Sequence, residues 1–250
     1  MGVVMVIRKR GILALIGICA LAVIVKLFWL PTAEIHYRLT AYFETSRGET
    51  IAASGVWAVY YSTSFSFLPD VPDIQTKSSG DAIRIDTGEG SALWMVLSSG
   101  VNCPWKKRGG NTFTNGPAGI VNRSFGIKPA WSRQRQIFSL PIPGATSEID
   151  VCDLPQIVTF VDERSPSTVR PVLFDENKYA VCCNVIFKRA NIEILKNSEM
   201  VTRSAVRNTF PWVPKTTPEN ITSTVYLPDV QQVGYPEFSL TDTSLSIRGF

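Results

Sequence analysis

"HYRLTAYFE", residues 36–44, alternates from end to end. Tyr37, Leu39, Ala41 and Phe43 fall on one side, and His36, Arg38, Thr40, Tyr42 and Glu44 on the other. Side chains two apart share a face of a strand, so this stretch predicts a strand with one dry and one wet side. Ser46-Arg47-Gly48-Glu49 reads as a turn. Beyond it Trp57, Val59, Tyr61, Phe65 and Phe67 keep the same phase, which predicts a hairpin or a close relative.

The pattern repeats along the chain. "GDAIRIDTGEGSALWMVLSS" (80–99) reads as strand, glycine-rich turn and strand, with Ala92 to Leu97 apolar on both faces and therefore central. Residues 136–140, 156–161 and 168–174 are further strand candidates, the last two joined by a charged turn at Asp162 to Pro166. Residues 179–195 predict one long strand, or two joined at a bulge near Arg189, with Ile192 and Ile194 facing one way. Residues 100–126 are rich in Gly, Asn and Pro and read as irregular. No long segment after residue 30 has helical periodicity. The expectation is a mainly β domain, sandwich-like or α+β, over residues 35–212. An extended tail follows at 213–250, rich in Pro, Thr and Ser.

Residues 11–30, "GILALIGICALAVIVKLFWL", carry one charge, Lys26. A helix of that length spans roughly 30 Å, the thickness of a hydrocarbon core. Lys26 lies near the far end, within reach of headgroups. Trp29 suits the interface, and Pro31 ends the helix. Arg8, Lys9 and Arg10 precede the run, so the positive-inside rule leaves residues 1–10 in the cytoplasm and everything after 30 outside. These features predict a retained single-pass anchor in contact with the lipid bilayer. A cleaved signal peptide is the rival, with Ala20-Leu21-Ala22 as its small-x-small site. The apolar residues that continue past that site favour retention. Cys19 would suit a lipoprotein, but bulky Ile18 precedes it. Three residues, Thr32 to Glu34, separate Pro31 from the predicted first strand, so an anchored domain would stay at the bilayer surface.

The net charge of +4 follows from the same segment. The first 30 residues hold four basic side chains and no acidic one; removing them from 25 leaves 21 basic against 21 acidic. The external part is formally neutral, which argues against a nucleic-acid partner. Lys106-Lys107-Arg108 is a triple within a loop, the pattern of a solvated tip.

Four cysteines, Cys103, Cys152, Cys182 and Cys183, lie beyond the apolar run and allow three full pairings. On a strand Cys182 and Cys183 would face opposite ways, which argues against a bond between them. A Cys103–Cys152 disulfide is one candidate, contributing about 4 kcal/mol by loop entropy. Unpaired buried thiols are the alternative. No spacing matches a zinc site, and neither metal nor cofactor is predicted.

Catalytic motifs are lacking. His36, the single histidine, falls on the wet face of the first predicted strand and reads as a surface residue rather than a base. Gly88-x-Gly90 lacks a third glycine and leads into a strand, so it is no dinucleotide loop. Gly109 to Gly119 contains no Gly-Lys-Ser/Thr. Asp162-Glu163 and Asp175-Glu176 sit in turns, where acids are usually solvated. Asp150 and Asp153 offer a weak calcium candidate. "RNTFPWVP" (207–214) carries Phe210 and Trp212, which either plug the end of a sheet or, with Trp29, offer a contact for a partner or lipid headgroups.

"YRLTAYFET" (37–45), "GDAIRIDTGEGSALWMVL" (80–97), "LPQIVTFVDERSPSTVRPV" (154–172) and "FKRANIEILKNSEMVTRSAVRNTFPW" (187–212) occur in an order that resembles a family of uncharacterised proteobacterial envelope proteins, best represented in alphaproteobacteria. That family's closing segment ends in Leu-Pro-Trp; here Phe210 replaces the Leu. The resemblance implies a bacterial envelope location; with the anchor and orientation read above, the expectation is an inner-membrane protein with a periplasmic domain. It brings no catalytic residue. The expected function is a non-catalytic module that binds or braces another envelope protein, with a carboxylate-based hydrolase of lipid or cell wall as the alternative.

Overall fold

The computed structural model describes residues 15–21, 32–63, 74–88, 92–97, 102–106, 117–127, 139–165, 168–202, 206–210, 224–226, 239–241 and 246–247. They are mainly β, arranged in antiparallel sheets. The chain forms two compact units. The smaller comprises Met1–Ala33, Tyr61–Thr76 and Pro129–Ser139; the larger comprises Glu34–Tyr60, Lys77–Lys128 and Leu140–Phe250.

In the smaller unit, residues 15–21 form helix α1, and all of them are exposed. No helix among the described residues is long and apolar enough to cross a membrane. The rest of the expected span, 11–14 and 22–30, lies outside the described residues, as does Trp29.

The strands are β1 (Thr32–Thr45), β2 (Thr50–Thr63), β3 (Ile74–Asp81), β4 (Ile83–Ile85), β5 (Leu93–Met95), β6 (Thr146–Ile149), β7 (Ile157–Phe160), β8 (Val169–Pro171), β9 (Tyr179–Ala180), β10 (Val185–Leu195), β11 (Thr224–Tyr226), β12 (Ser239–Thr241) and β13 (Ser246–Ile247). The largest sheet runs β13-β3-β2-β1-β10-β6, with β9 also paired to β10. A second runs β4-β5-β7-β8, and β11 pairs with β12 alone.

The alternation in β1 is realised. Tyr37, Leu39, Ala41 and Phe43 are completely buried, while Arg38, Thr40, Tyr42 and Glu44 are half-buried. The turn at 46–49 closes with Gly48 N–H donating to the Thr45 carbonyl, and β2 then buries Trp57, Val59 and Tyr61. Burial pushes the Tyr61 hydroxyl pKa well above its ordinary value.

Strand β10 pairs antiparallel with β1 through a bulge. Tyr42 opposes Arg189 and Phe43 opposes Phe187, so Lys188 is the extra residue. The bulge resolves a conflict of parity. Val185 and Phe187 are buried in odd phase, and Ala190, Ile192 and Ile194 in even phase. One inserted residue lets both sets point inward and leaves Lys188 and Arg189 together outside.

The second sheet joins the two predicted strand pairs, 80–99 and 156–174, through β5 and β7. Ile83 opposes Met95, Leu93 opposes Thr159, and Phe160 opposes Val169. Strand β5 lies between β4 and β7, and Ala92 to Leu97 are all buried, as a strand with two apolar faces requires.

Three features depart from the sequence expectation. Residues 117–124, expected to be irregular, form helix α2 (Pro117–Ser124), which buries Pro117, Ile120 and Val121. Leu140 is in a bend rather than a strand, and 136–138 lie outside the described residues. The 179–195 stretch contains a full turn at 181–184 in addition to its bulge. The tail, expected to be extended, supplies the short strands β11, β12 and β13; β13 joins the large sheet, with Ser246 opposite Asp81 and Ile247 opposite Gly80.

Candidate functional site

Chemistry-bearing side chains concentrate where the loop 102–106 meets the 3-10 turn Val151–Asp153. Asn102 is fully buried. Its carboxamide nitrogen lies 3.0, 3.1 and 2.9 Å from the carbonyls of Val151, Leu154 and Pro155. Its carboxamide oxygen accepts from Ile157 N–H at 3.1 Å and Gln156 Nε2 at 3.3 Å. Its own carbonyl accepts from Phe174 N–H at 2.8 Å. One side chain thus satisfies backbone groups that a buried turn would otherwise strand.

The next residue, Cys103, is bonded to Cys152 with an S–S distance of 2.05 Å, and both are buried. Asp150 caps the same turn, accepting from Cys152 N–H at 3.0 Å, and pairs with Lys178 at 2.9 Å. Asp153 lies 3.6 Å from Lys106 and 3.7 Å from Arg123. Arg123 also donates to the Asp153 carbonyl at 2.8 Å. Burial raises the Asp150 pKa, but the Cys152 amide, Lys178 and Lys106 outweigh it and hold the carboxyl below its ordinary range.

Cys103, Asp150 and Cys152 bring potential ligand atoms within 4.8 Å of one another. With both sulfurs in a disulfide the thiolates a soft metal needs are gone, and the carboxylate faces an ammonium. Asp150 and Asp153 likewise pair with cations of their own chain.

His36 corrects the sequence expectation of a wet-face residue: it is 7% exposed. Its Nδ1 lies 2.7 Å from the Glu199 carbonyl and its Nε2 2.8 Å from Glu34 Oε1. Asn197 Nδ2 donates to the Glu34 carbonyl at 3.2 Å. The turn after β10 folds over the start of β1 and covers the ring. Both nitrogens face oxygens of the chain itself, so the histidine serves as a latch that joins the turn after β10 to the start of β1.

The acids in turns have structural partners. Asp162 accepts from Arg164 N–H at 2.9 Å, and Asp175 from Tyr179 N–H at 2.8 Å. Glu163 accepts from Trp94 Nε1 at 3.0 Å.

Phe210 follows the four-residue helix α3 (Val206–Thr209) and is completely buried. Its ring centroid lies 4.6 Å from that of Trp94 and 4.9 Å from that of Phe160. The contact assigned to Phe210 as a partner or lipid residue is therefore corrected. The alternation of the second sheet puts Trp94 and Phe160 on one face, and Phe210 seals it. Trp212 and Trp29 lie outside the described residues.

Comparison with family models, curated proteins and solved structures returned no match. The site's chemistry therefore rests on its own geometry. Further accessible polar groups line β1 and β10 of the large sheet. Arg38 pairs with Glu193 at 2.9 Å, Lys188 with Glu44 at 2.7 Å, and the Arg189 guanidinium sits 4.6 Å from the Tyr42 ring centroid. Thr40 and Ser54 share a hydrogen bond of 2.9 Å. Charges on this face are matched along neighbouring strands. Of these residues, those on β1 were legible from alternation. Asn102 was not, because a polar residue in a Gly/Asn-rich loop carries no signal of burial.

Proposed function

We propose that this protein is a single-pass inner-membrane protein of a bacterial envelope. Its β domain, sandwich-like in character, lies on the periplasmic side and acts as a non-catalytic binding or scaffolding module for another envelope protein. One observation carries the proposal: residues 15–21 are helical and bare. Leu15, Ile16, Ile18 and Leu21 are 63, 58, 65 and 61% exposed. A helix apolar on every side has no stable place in water, and lipid supplies the missing solvent.

Three further features agree. The charge flank Arg8, Lys9 and Arg10 gives the orientation. A buried disulfide at Cys103–Cys152 suits an oxidising compartment. Strand β1 starts at Thr32, directly after Pro31, so the connector is shorter than the alternation alone implied. The non-catalytic part rests on His36 and the acids Asp150, Asp153, Asp162, Glu163 and Asp175, all committed to contacts within the chain.

The test is membrane fractionation of cells expressing the full chain. The protein should resist alkaline carbonate extraction, dissolve in detergent, and be digested by protease added outside spheroplasts. Crosslinking in those membranes should then capture a second envelope protein. Release by carbonate, or a mature chain starting near Val23, would replace the anchor with a cleaved signal. Hydrolysis of lipid or peptidoglycan by the purified protein would overturn the non-catalytic role.

A further inference from the structure

Cys182 and Cys183 are bonded to each other in the turn 181–184 that connects β9 to β10. The expectation that they would not pair assumed a strand, where neighbours face opposite ways; a turn removes that obstacle. Val181 is 74% exposed, Cys182 and Asn184 are exposed, and Cys183 is half-buried. The Cys103–Cys152 bond has the opposite setting, with both residues buried and a separation of 49 in sequence.

A disulfide stabilises a fold mainly through the length of chain it closes. The bond between Cys182 and Cys183 closes almost none, so stability does not account for it. Its exposure offers chemistry instead, since thiol–disulfide exchange requires a thiolate to reach a sulfur. We propose that Cys182–Cys183 is a reversible thiol–disulfide site whose reductant is a dithiol.

The exchange balances as follows. A thiolate of the dithiol attacks one sulfur, the Cys182–Cys183 bond breaks, and the displaced cysteine leaves as a thiolate that takes up a proton. The second thiol of the reductant then attacks its own sulfur in the mixed disulfide. The reductant departs as a cyclic disulfide, and the other cysteine is released and protonated. Two electrons pass from the dithiol to the protein. A monothiol stalls after the first step, because the displaced cysteine is the next residue and attacks back at high effective concentration. The site depends on the exposure of the turn and not on the membrane anchor.

The test uses the full chain in detergent, treated with graded dithiothreitol or glutathione, then N-ethylmaleimide and peptide mass spectrometry. Cys182 and Cys183 should be alkylated at dithiothreitol concentrations at least about tenfold below those that open Cys103–Cys152, consistent with access control of exchange. Glutathione at equal thiol concentration should leave the pair closed. Cys19, a free thiol, reports that alkylation proceeded. Labelling of Cys182 and Cys183 without reductant would overturn the site, as would simultaneous opening of both disulfides or equal opening by glutathione. The double variant Cys182→Ser/Cys183→Ser should fold with a Tm within about 2 °C of the parent. Loss of the folded state would make the bond structural and also overturn the proposal.

Discussion

The Asn102 carboxamide directs its N–H groups at three backbone carbonyls while its oxygen takes two donors. Asn102→Asp would set a carboxylate against the carbonyls of Val151, Leu154 and Pro155 and remove the donors they share. We expect a loss of about 3–5 kcal/mol, and about 2–3 kcal/mol for Asn102→Ala, which leaves partners unmet without adding charge. Urea denaturation with the disulfides intact measures both; equal costs would mean the aspartate is protonated or solvated there. Gly80 is a second position with a single acceptable residue. Its φ is +148°, and a Cβ would enter the indole of Trp57, whose Nε1 already donates to the Asp81 carbonyl at 2.8 Å. Gly80→Ala should cost about 2–4 kcal/mol in the same experiment, from backbone strain and overpacking together. Neither position announces itself in the sequence. An asparagine in an irregular stretch and a glycine at the opening of a strand carry no sign of what they touch. Their roles come from chain segments far away in sequence, which alternation cannot report.

Elements were legible in proportion to how local their causes are. Strand β1, the 46–49 turn, the β4–β5 hairpin and the bulge of β10 each follow from residues adjacent in sequence, through period two or a change in its phase. Helix α2 has eight residues, too few for its periodicity to stand out, and it exists because Ile120 and Val121 find a core to enter. The 3-10 turn at Val151–Asp153 is likewise set by its tethers, the Cys103 bond and the Asp150 cap. That tether predicts a pH dependence. Since the folded-state pKa of Asp150 is depressed, its contribution is present above the unfolded carboxyl pKa and is lost as pH falls through the folded value. Asp150→Asn should therefore be less stable than the parent at neutral pH, with the gap closing in acid. Urea midpoints for both proteins across an acid series check this; a gap that stays constant would mean that the charge contributes nothing.

At the scale of the whole molecule the sequence divides into an apolar run, whose proposed demand is lipid, and a segment that makes its own interior. The two demands are separable in principle, because the apolar run ends at Leu30 and the larger compact unit begins at Glu34. Within that unit the core of β1, β2 and β10 is built from Tyr37, Leu39, Phe43, Trp57, Ile192 and Ile194, all essentially buried, and the Cys103–Cys152 bond ties the 102–106 loop to the Val151–Asp153 turn. A chain shortened to begin at Glu34 should therefore keep its β-sheet circular dichroism and its buried disulfide while losing association with membranes. The loss should be close to complete, because transfer of a 20-residue apolar stretch to lipid is favourable by far more than surface contacts of a formally neutral domain can supply. Export by an unrelated cleavable signal, followed by fractionation of the periplasm, makes the comparison in the oxidising compartment the disulfides require. Recovery of the shortened chain in the soluble fraction, folded, would locate the membrane affinity in the N-terminal run. Its persistence in the membrane fraction after a high-salt wash would instead locate a second attachment on the β domain, and its absence from both fractions as a folded species would mean that the first 33 residues are needed to complete the fold.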